Sequence, residues 1–311
     1  MKLEIMSILR KIADLFGLSR EARNRLMAKW HGLIRWKPSY FRPAVEWGLN
    51  KEKRDVKITV SLTSYPARIK TVDKTIETLL TQTVKPDRIV LWLGEDKFLG
   101  KENDLPKRLL KLCKLGLTIG WVKDLRSYTK LIPALRAYPD DIIITVDDDI
   151  FYRPNLIEKL YAPFLSDPSC IYAQTVLRVE CDENGNFTPY NSWKYGHVPM
   201  AKSFLNHLEG VGGVLYPPHS MPLETLNESA FKTLAPTVDD VWFWCMAIMG
   251  NVKICDVYGL GDPPYYRNPR SNDVAALWNI NHSVATGNDK QLAAILERYP
   301  EVRARLQEET A

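Results

Sequence analysis

Three consecutive carboxylates follow an apolar, strand-forming run. Residues 142–150 read Ile-Ile-Ile-Thr-Val-Asp-Asp-Asp-Ile. Such a run is typical of a buried parallel strand, and open α/β sheets bind ligands in the crevice outside the carboxyl ends of their strands. Because like charges repel when crowded, Asp147, Asp148 and Asp149 indicate a cation; hard oxygen ligands suit Mg²⁺ or Mn²⁺, usually with phosphate completing the coordination. The alternative is a solvated acidic turn.

A second pair of carboxylates begins a strongly apolar segment, Thr237-Val-Asp-Asp-Val-Trp-Phe-Trp244. Asp239 and Asp240 could simply stabilise the N-terminus of a helix. However, Trp242 and Trp244 would lower the local dielectric constant, and burial raises the pKa of a carboxylate toward that of a working general base. We favour the base over the helix cap.

The loop after the first predicted strand, Ser61-Leu-Thr-Ser-Tyr-Pro-Ala-Arg68, has the side chains to hold a nucleotide. Tyr65 could stack on a base, Thr63 and Ser64 could form hydrogen bonds, and Arg68 could pair with phosphate. The alternative is a plain turn followed by a solvated arginine.

The segment after the third predicted strand, Asp124-Leu-Arg-Ser-Tyr-Thr-Lys130, reaches the same edge of a parallel sheet. Asp124 could accept a hydrogen bond from a base or a ribose, and Arg126 or Lys130 could neutralise a diphosphate. A helix N-terminus capped by Ser127 is the alternative, and it is compatible with the binding role.

Two weaker signals complete the set of candidate residues. In Gly210-Val-Gly-Gly-Val-Leu-Tyr-Pro-Pro218, which lacks a phosphate-loop pattern, Gly212 and Gly213 could permit close backbone approach to a bound sugar, or mark a strand bulge. His282 could supply an imidazole to the metal, or be a structural histidine.

Alternating strands and helices must position these residues. Strands are predicted at 57–62, 88–93, 117–122 and 142–146, and helices at 72–81, 105–115 and 128–137. Repeated βα units imply a mostly parallel sheet with helices on both faces. Beyond the acidic triplet, the pattern predicts helices at 153–164 and 238–249, an extended piece at 171–179 and a last helix at 289–299.

Charge separates an N-terminal extension, residues 1–54, from the rest of the chain. The extension holds 13 Lys/Arg and 5 Asp/Glu, whereas the whole chain has a net charge of +5. Its first residues have the spacing of an amphipathic helix, and basic residues with aromatic ones suit an anionic membrane surface. Packing on the catalytic domain or on a second subunit is the alternative. Nucleic acid is not expected, because the remaining residues are slightly acidic.

One catalytic domain at residues 55–300 and a C-terminal tail at 301–311 are the simplest division. Five cysteines without metal-ligand spacing favour reduced thiols and a cytoplasmic location, with peripheral attachment to the inner face of the cell membrane left open. No run is apolar for the 18 or so residues of a spanning helix. Nothing in the sequence indicates an oligomeric state.

Together these motifs resemble those of glycosyltransferases with the GT-A fold, particularly the family-2-like bacterial enzymes that build surface polysaccharides. The resemblance runs from about Lys57 to the last helix, and its marks are SLTSYPARI, DLRSYTKLIPAL, IIITVDDDI, GGVLYPP and VDDVWFW. It implies a Rossmann-like, mostly parallel sheet flanked by helices, with an α-helical N-terminal extension. In the family, the DxD element, here 147–149, binds the divalent ion that bridges the donor diphosphate.

The resemblance also implies roles for the second pair of carboxylates, Asp239 and Asp240. Inverting members carry a Glu-Asp or Asp-Asp base about 90 residues after DxD, and Asp240 lies 91 positions after Asp149. By that mapping, Asp240 deprotonates the acceptor hydroxyl and Asp239 helps to position the acceptor. Two features depart from the family: Asp239 replaces the commoner Glu, and the usual arginine-rich stretch after the base is absent.

The expected activity is therefore that of a metal-dependent inverting glycosyltransferase of the hexosyltransferase type. It would move a sugar from a nucleotide-sugar donor, a UDP-sugar, to a glycan or lipid-linked acceptor. A nucleotidyltransferase acting on a sugar phosphate is one alternative, although the first strand lacks the glycine-rich loop that such enzymes usually carry. A non-catalytic sugar-binding protein on the same fold is another.

Overall fold

A computed structural model describes residues 46–183, 186–196, 198–257, 265–268 and 287–309, all within one compact unit. The predicted helix at the start of the N-terminal extension and His282 lie outside these residues. Within the described ranges, no helix combines the length and apolar character needed to cross a bilayer.

The centre of the fold is an eight-stranded sheet with the strand order β3-β2-β1-β4-β11-β6-β12-β9. Two small sheets, β10-β7-β8 and β13-β5, accompany it. The strands are β1 (Ile58–Thr63), β2 (Arg88–Gly94), β3 (Leu117–Val122), β4 (Ile142–Thr145), β5 (Ile150–Tyr152), β6 (Ile171–Ala173), β7 (Val176–Arg178), β8 (Lys194–Tyr195), β9 (Lys202–Ser203), β10 (Asn206–Leu208), β11 (Val214–Tyr216), β12 (Ile254–Asp256) and β13 (Tyr265–Arg267).

Parallel pairing dominates this sheet. Strands β3, β2, β1 and β4 are mutually parallel, with Ile58 opposite Ile142 and Ser61 opposite Thr145. Strand β11 runs antiparallel to β4 and β6, and β9 runs antiparallel to β12. The predicted mixed α/β fold with a mostly parallel central sheet is confirmed.

Helices cover both faces of the sheet, as the repeated βα pattern predicts. They are α1 (Val72–Leu80), α2 (Lys107–Cys113), α3 (Ile132–Ala137), α4 (Leu156–Ser166), α5 (Glu228–Leu234), α6 (Asp239–Met249), α7 (Asn288–Arg298) and α8 (Pro300–Glu308). Because side chains alternate across a strand, Val90 and Ile143 pack into one core with α3, α6 and α7, whereas Ile89 and Ile142 pack into the other with α1, α2 and α4.

Two predicted elements differ from the observed ones. The helix predicted at 128–137 is instead a 3₁₀ turn, Arg126–Lys130, followed by α3 with Pro133 in its first turn, where proline is tolerated because that N–H needs no intrahelical partner. The extended piece at 171–179 is two strands, β6 and β7, which belong to different sheets.

One further helix, α8, follows α7 where the sequence pattern predicts no element. Its Val302 and Leu306 are fully buried in the same core as α6, and Arg305 Nη1 donates a hydrogen bond to the backbone oxygen of Met249 (2.7 Å). Residues 300–308 are therefore packed against the domain.

Candidate active site

The acidic triplet lies in the turn between β4 and β5, at the carboxyl edge of the parallel strands. The backbone N–H of Asp147 donates to the hydroxyl oxygen of Tyr152, and the backbone N–H of Asn268 donates to the carbonyl of Asp149. Strand β13 pairs with β5, which brings Arg267 beside the triplet. The turn is thus fixed at Asp147 by strand β5 and at Asp149 by the residue that follows strand β13.

Asp148 is held by the loop after β1. Ser64 Oγ donates to Asp148 Oδ2 (2.6 Å), Arg68 Nη1 donates to Asp148 Oδ1 (2.9 Å), and Thr75 Oγ1 donates to its backbone oxygen (2.8 Å). Burial raises the pKa of Asp148, although the charge of Arg68 and the hydroxyl of Ser64 oppose this. The side chain of Asp148 therefore joins the first loop to the acidic turn.

Asp149 is buried beside two arginines. Its Oδ2 lies 3.3 Å from Nη1 of Arg68 and 3.9 Å from Nη1 of Arg267. Burial and the neighbouring charge of Asp147 raise the pKa of Asp149 to about 6, despite the opposing charge of Arg68. A further cation at this carboxylate would stabilise its ionised form.

A single ammonium group joins the triplet to the second carboxylate pair. Nζ of Lys130 lies 3.1 Å from Asp147 Oδ1, 3.1 Å from Asp239 Oδ2 and 3.5 Å from Asp240 Oδ1. We refer to these four residues as the Lys130 cluster. Burial by itself would lower the pKa of Lys130, but the three carboxylates outweigh it and hold the pKa well above its ordinary value.

Asp240 has the properties of a general base. It opens helix α6, its side chain is 30% exposed, and its Oδ2 accepts a hydrogen bond from the backbone N–H of Gly210 (3.0 Å). Burial raises the pKa of Asp240; the charges of Asp239 and Asp147 act in the same direction, against that of Lys130. Asp239, beside it, is only 10% exposed. Of the pair, Asp240 is the more accessible to a substrate.

The residues of the first loop are only partly available to a ligand. Thr63 Oγ1 donates to the backbone oxygen of Trp92 (3.0 Å), and Ser64 is engaged with Asp148. The guanidinium of Arg68 lies over the ring of Tyr65, 5.6 Å from its centroid. The hydroxyl of Tyr65 is buried with no hydrogen-bond partner among the described residues, so it is a donor that a ligand could satisfy.

Asp124 and Arg126 lie after β3, as the sequence predicts. Asp124 Oδ1 accepts a hydrogen bond from the backbone N–H of Arg126 (2.7 Å), and its Oδ2 is 3.8 Å from the ammonium of Lys97. Arg126 is exposed and has a positive φ of 58°. Both therefore belong to the rim of the same edge, outside the Lys130 cluster.

Gly212 and Gly213 face protein side chains. A Cβ on Gly212 would lie 2.2 Å from Oγ1 of Thr175, and one on Gly213, where φ is +91°, would lie 2.9 Å from Cδ1 of Leu156. Internal packing and backbone conformation explain both glycines. The predicted approach of a sugar to their backbone stays a prediction.

The carboxylates present suit a divalent ion bound partly by its substrate. Within the described ranges, no group of three or more His, Cys, Asp or Glu side chains is arranged to hold a metal by itself. Mg²⁺, however, usually binds through one or two carboxylates and completes its shell with water and substrate phosphate. Asp149, whose pKa is raised, and Asp147, whose side chain is 30% exposed, match that requirement. His282, the histidine predicted as a further ligand, lies outside the described residues.

The structure adds two residues to those predicted. Gly210 holds Asp240 through its N–H, and Arg267 places a guanidinium, 53% exposed, beside Asp149. Gly210 lies in the glycine segment noted in the sequence, but nothing local distinguishes it from its neighbours. Arg267 follows no motif, and only the pairing of β13 with β5 brings it to the site.

Comparison with known proteins gives a weak structural likeness. No family model matches this chain, and no curated protein matches it. Among solved structures, the crystal structure of S. aureus TarS 1-349 matches with a TM-score of 0.44 and 17% sequence identity, covering 78% of this chain and 72% of that chain. Likeness at this level establishes neither a family nor an activity.

Proposed function

We propose that this protein is a metal-dependent glycosyltransferase that moves a sugar from a nucleotide-sugar donor, a UDP-sugar, to a hydroxyl group of a glycan or lipid-linked acceptor in surface polysaccharide synthesis. One observation carries the proposal: the Lys130 cluster brings the acidic triplet after β4 together with the carboxylate pair that opens α6. A transferase of this kind needs both sets of carboxylates. One set would bind the metal ion that stabilises the leaving diphosphate, and the other would take the proton from the acceptor hydroxyl.

Asp149 and Asp147 are the residues that would hold Mn²⁺ or Mg²⁺. A bound ion would neutralise the charge that develops on the departing diphosphate. The neighbouring Arg267 supports this assignment, because its guanidinium is 53% exposed beside Asp149 and guanidinium pairs readily with phosphate. Arg68 is less accessible, because its side chain is 12% exposed and pairs with Asp148 and Asp149.

Asp240 would act as the base. Its carboxylate takes the proton from the acceptor hydroxyl while that oxygen attacks the anomeric carbon, and the bond from that carbon to the diphosphate oxygen breaks. A single displacement of this kind inverts the configuration at the anomeric carbon. The raised pKa of Asp240 suits the role, because a base works best when its pKa approaches the operating pH.

Tyr65 and Asp124 are the residues we assign to the nucleoside part of the donor. The buried hydroxyl of Tyr65 lacks a partner among the described side chains, and Asp124 lies at the rim of the same sheet edge. Contact of residues 1–54 with an anionic membrane surface would bring a lipid-linked acceptor within reach, and it remains part of the proposal.

A panel of nucleotide sugars and nucleoside diphosphates, titrated with and without Mn²⁺ while thermal unfolding is followed, tests the proposal. A ligand that binds only the folded state raises the unfolding temperature. We expect at least one nucleotide sugar to stabilise the protein only when Mn²⁺ is present. Lack of binding by every nucleotide would favour a non-catalytic sugar-binding protein, and pyrophosphate release from a nucleoside triphosphate and a sugar phosphate would favour a nucleotidyltransferase.

A further inference from the structure

We infer that Lys130 is a positioning residue that holds Asp240 and Asp147 at a fixed separation and does not bind the donor diphosphate. The inference rests on the proposed function, because it assigns those two carboxylates to the acceptor and the metal. It changes the role expected from the sequence, in which Lys130 neutralises the diphosphate.

The ammonium of Lys130 is surrounded by carboxylates. It donates a hydrogen bond to Oδ1 of Asp147 (3.1 Å), and it forms ion pairs with Oδ2 of Asp239 at 3.1 Å and Oδ1 of Asp240 at 3.5 Å. The side chain is 7% exposed. Binding a phosphate would require Lys130 to leave a carboxylate that is itself poorly hydrated.

The backbone of Lys130 is also fixed. Trp92 Nε1 donates to Ser61 Oγ (2.9 Å), and the Ser61 hydroxyl donates to the carbonyl of Lys130 (2.6 Å), all within the protein interior. One residue earlier, Thr129 Oγ1 accepts the backbone N–H of Leu125 (2.8 Å). Strands β1 and β2 thus anchor the turn that carries Lys130.

Lys130 and Asp240 can lie beside residue 210 only because it is a glycine and has no side chain. A Cβ at position 210 would lie 2.5 Å from Nζ of Lys130 and 2.9 Å from Oδ1 of Asp240. The N–H of Gly210 meanwhile holds the other oxygen of Asp240. Oδ1 of Asp240 therefore forms an ion pair with Lys130, and Oδ2 accepts a hydrogen bond from the N–H of Gly210.

Removal of the ammonium should have two opposite effects. Asp147, Asp239 and Asp240 would repel one another and Asp240 would move, which slows proton removal from the acceptor. The freed negative charge would also attract a divalent ion more strongly. A residue that binds diphosphate would behave differently, because its loss weakens nucleotide binding.

The test uses Lys130→Met and Gly210→Ala in the full-length protein, with Lys123→Met as the matched control. Lys123 is 69% exposed and pairs with Glu228, away from the cluster. We expect Lys130→Met to lower kcat by about 100-fold, to leave the KM for the donor within about twofold, and to tighten Mn²⁺ binding without nucleotide by about tenfold. The control should match the wild type in all three measurements.

Gly210→Ala covers the case in which Lys130→Met fails to fold. The added methyl displaces the ends of the Lys130 and Asp240 side chains but no backbone atom, and it keeps every charge, so the fold should survive. We expect a lower kcat with unchanged nucleotide binding. A loss of tenfold or more in affinity for the nucleoside diphosphate in Lys130→Met, or an unchanged kcat in Gly210→Ala, would overturn the inference.

The two proposals fail in different ways. If the wild-type protein binds no nucleotide, the proposed function is wrong. The Mn²⁺ titration, which needs no nucleotide, still tests the role of Lys130 in the cluster. Mn²⁺ binding that is no tighter in Lys130→Met than in the wild type would show that the ammonium does not neutralise these carboxylates, and it would overturn the inference.

Discussion

The carboxylates of Asp147 and Asp240 share one ammonium group, that of Lys130, at 3.1 Å and 3.5 Å. One residue follows strand β4 and the other opens helix α6, so the fold brings together two acidic segments that are far apart in the chain. In the proposed reaction this relationship sets the distance between the leaving group and the base.

Loss of the Asp149 carboxylate should weaken metal-dependent nucleotide binding. Asp149→Ala removes a buried oxygen ligand from the proposed ion site, so we expect calorimetry with Mn²⁺ to show at least a tenfold weaker nucleoside diphosphate affinity, about 1.4 kcal/mol or more. Asp140→Ala is the matched control, because Asp140 is 85% exposed and pairs with the exposed His219. Equal affinities in Asp149→Ala and the control would exclude Asp149 as a ligand.

Asp240→Asn should separate donor binding from transfer. The amide keeps the size of the side chain but cannot take a proton, so we expect kcat to fall by about 10²–10⁴-fold while nucleotide binding persists. Asp239→Asn should chiefly raise the KM for the acceptor. Full transfer activity in Asp240→Asn would remove its role as the base.

Removal of the guanidinium of Arg267 should weaken binding of the diphosphate. We expect Arg267→Ala to reduce nucleoside diphosphate affinity by about tenfold, since charge-assisted hydrogen bonds contribute about 1.5–3 kcal/mol. Arg108→Ala is the control: Arg108 is similarly exposed, at 62%, but it lies on helix α2 and pairs with Asp73 of helix α1. A uridine nucleoside lacking phosphate should bind both variants equally.

The pKa of Asp149 predicts how stability changes with pH in the metal-free protein. Burial raises this pKa from an ordinary value of 3.8 to about 6. The folded state therefore binds the proton more tightly, so this residue contributes stability that is present below about pH 4 and is lost as the pH rises through about 6. Asp149→Asn should show a smaller fall in the free energy of unfolding over that range, and an identical fall in both proteins would contradict the assignment.

Helix α8 should be needed for stability. Leu306 is fully buried against the core that contains α6, so Leu306→Ala should lower the free energy of unfolding by about 2–5 kcal/mol. Glu301→Ala, at an exposed position of the same helix, is the control. Chemical denaturation would measure both; equal stability would mean that residues 300–308 do not pack as the structure has them.

Local patterns in the sequence are enough to predict the first four strands, β1–β4, and the sheet edge at which polar residues gather. The βα alternation predicts the parallel pairing of β1–β4, because apolar periodicity and helix length are properties of short segments. Residues that follow successive parallel strands must meet at one edge, which is why Arg68, Lys130 and Asp147 were all found from the sequence. The apolar run after Asp240 likewise identified a buried helix with carboxylates at its start.

Tertiary packing alone decided what those residues contact. Lys130 ends a 3₁₀ turn and faces three carboxylates, and Asp148 accepts hydrogen bonds from Ser64 and Arg68. Arg267 reaches Asp149 only through the pairing of β13 with β5. Such contacts join segments that are far apart in the chain, and their energies depend on burial and on neighbouring charges, which no local pattern of residues records.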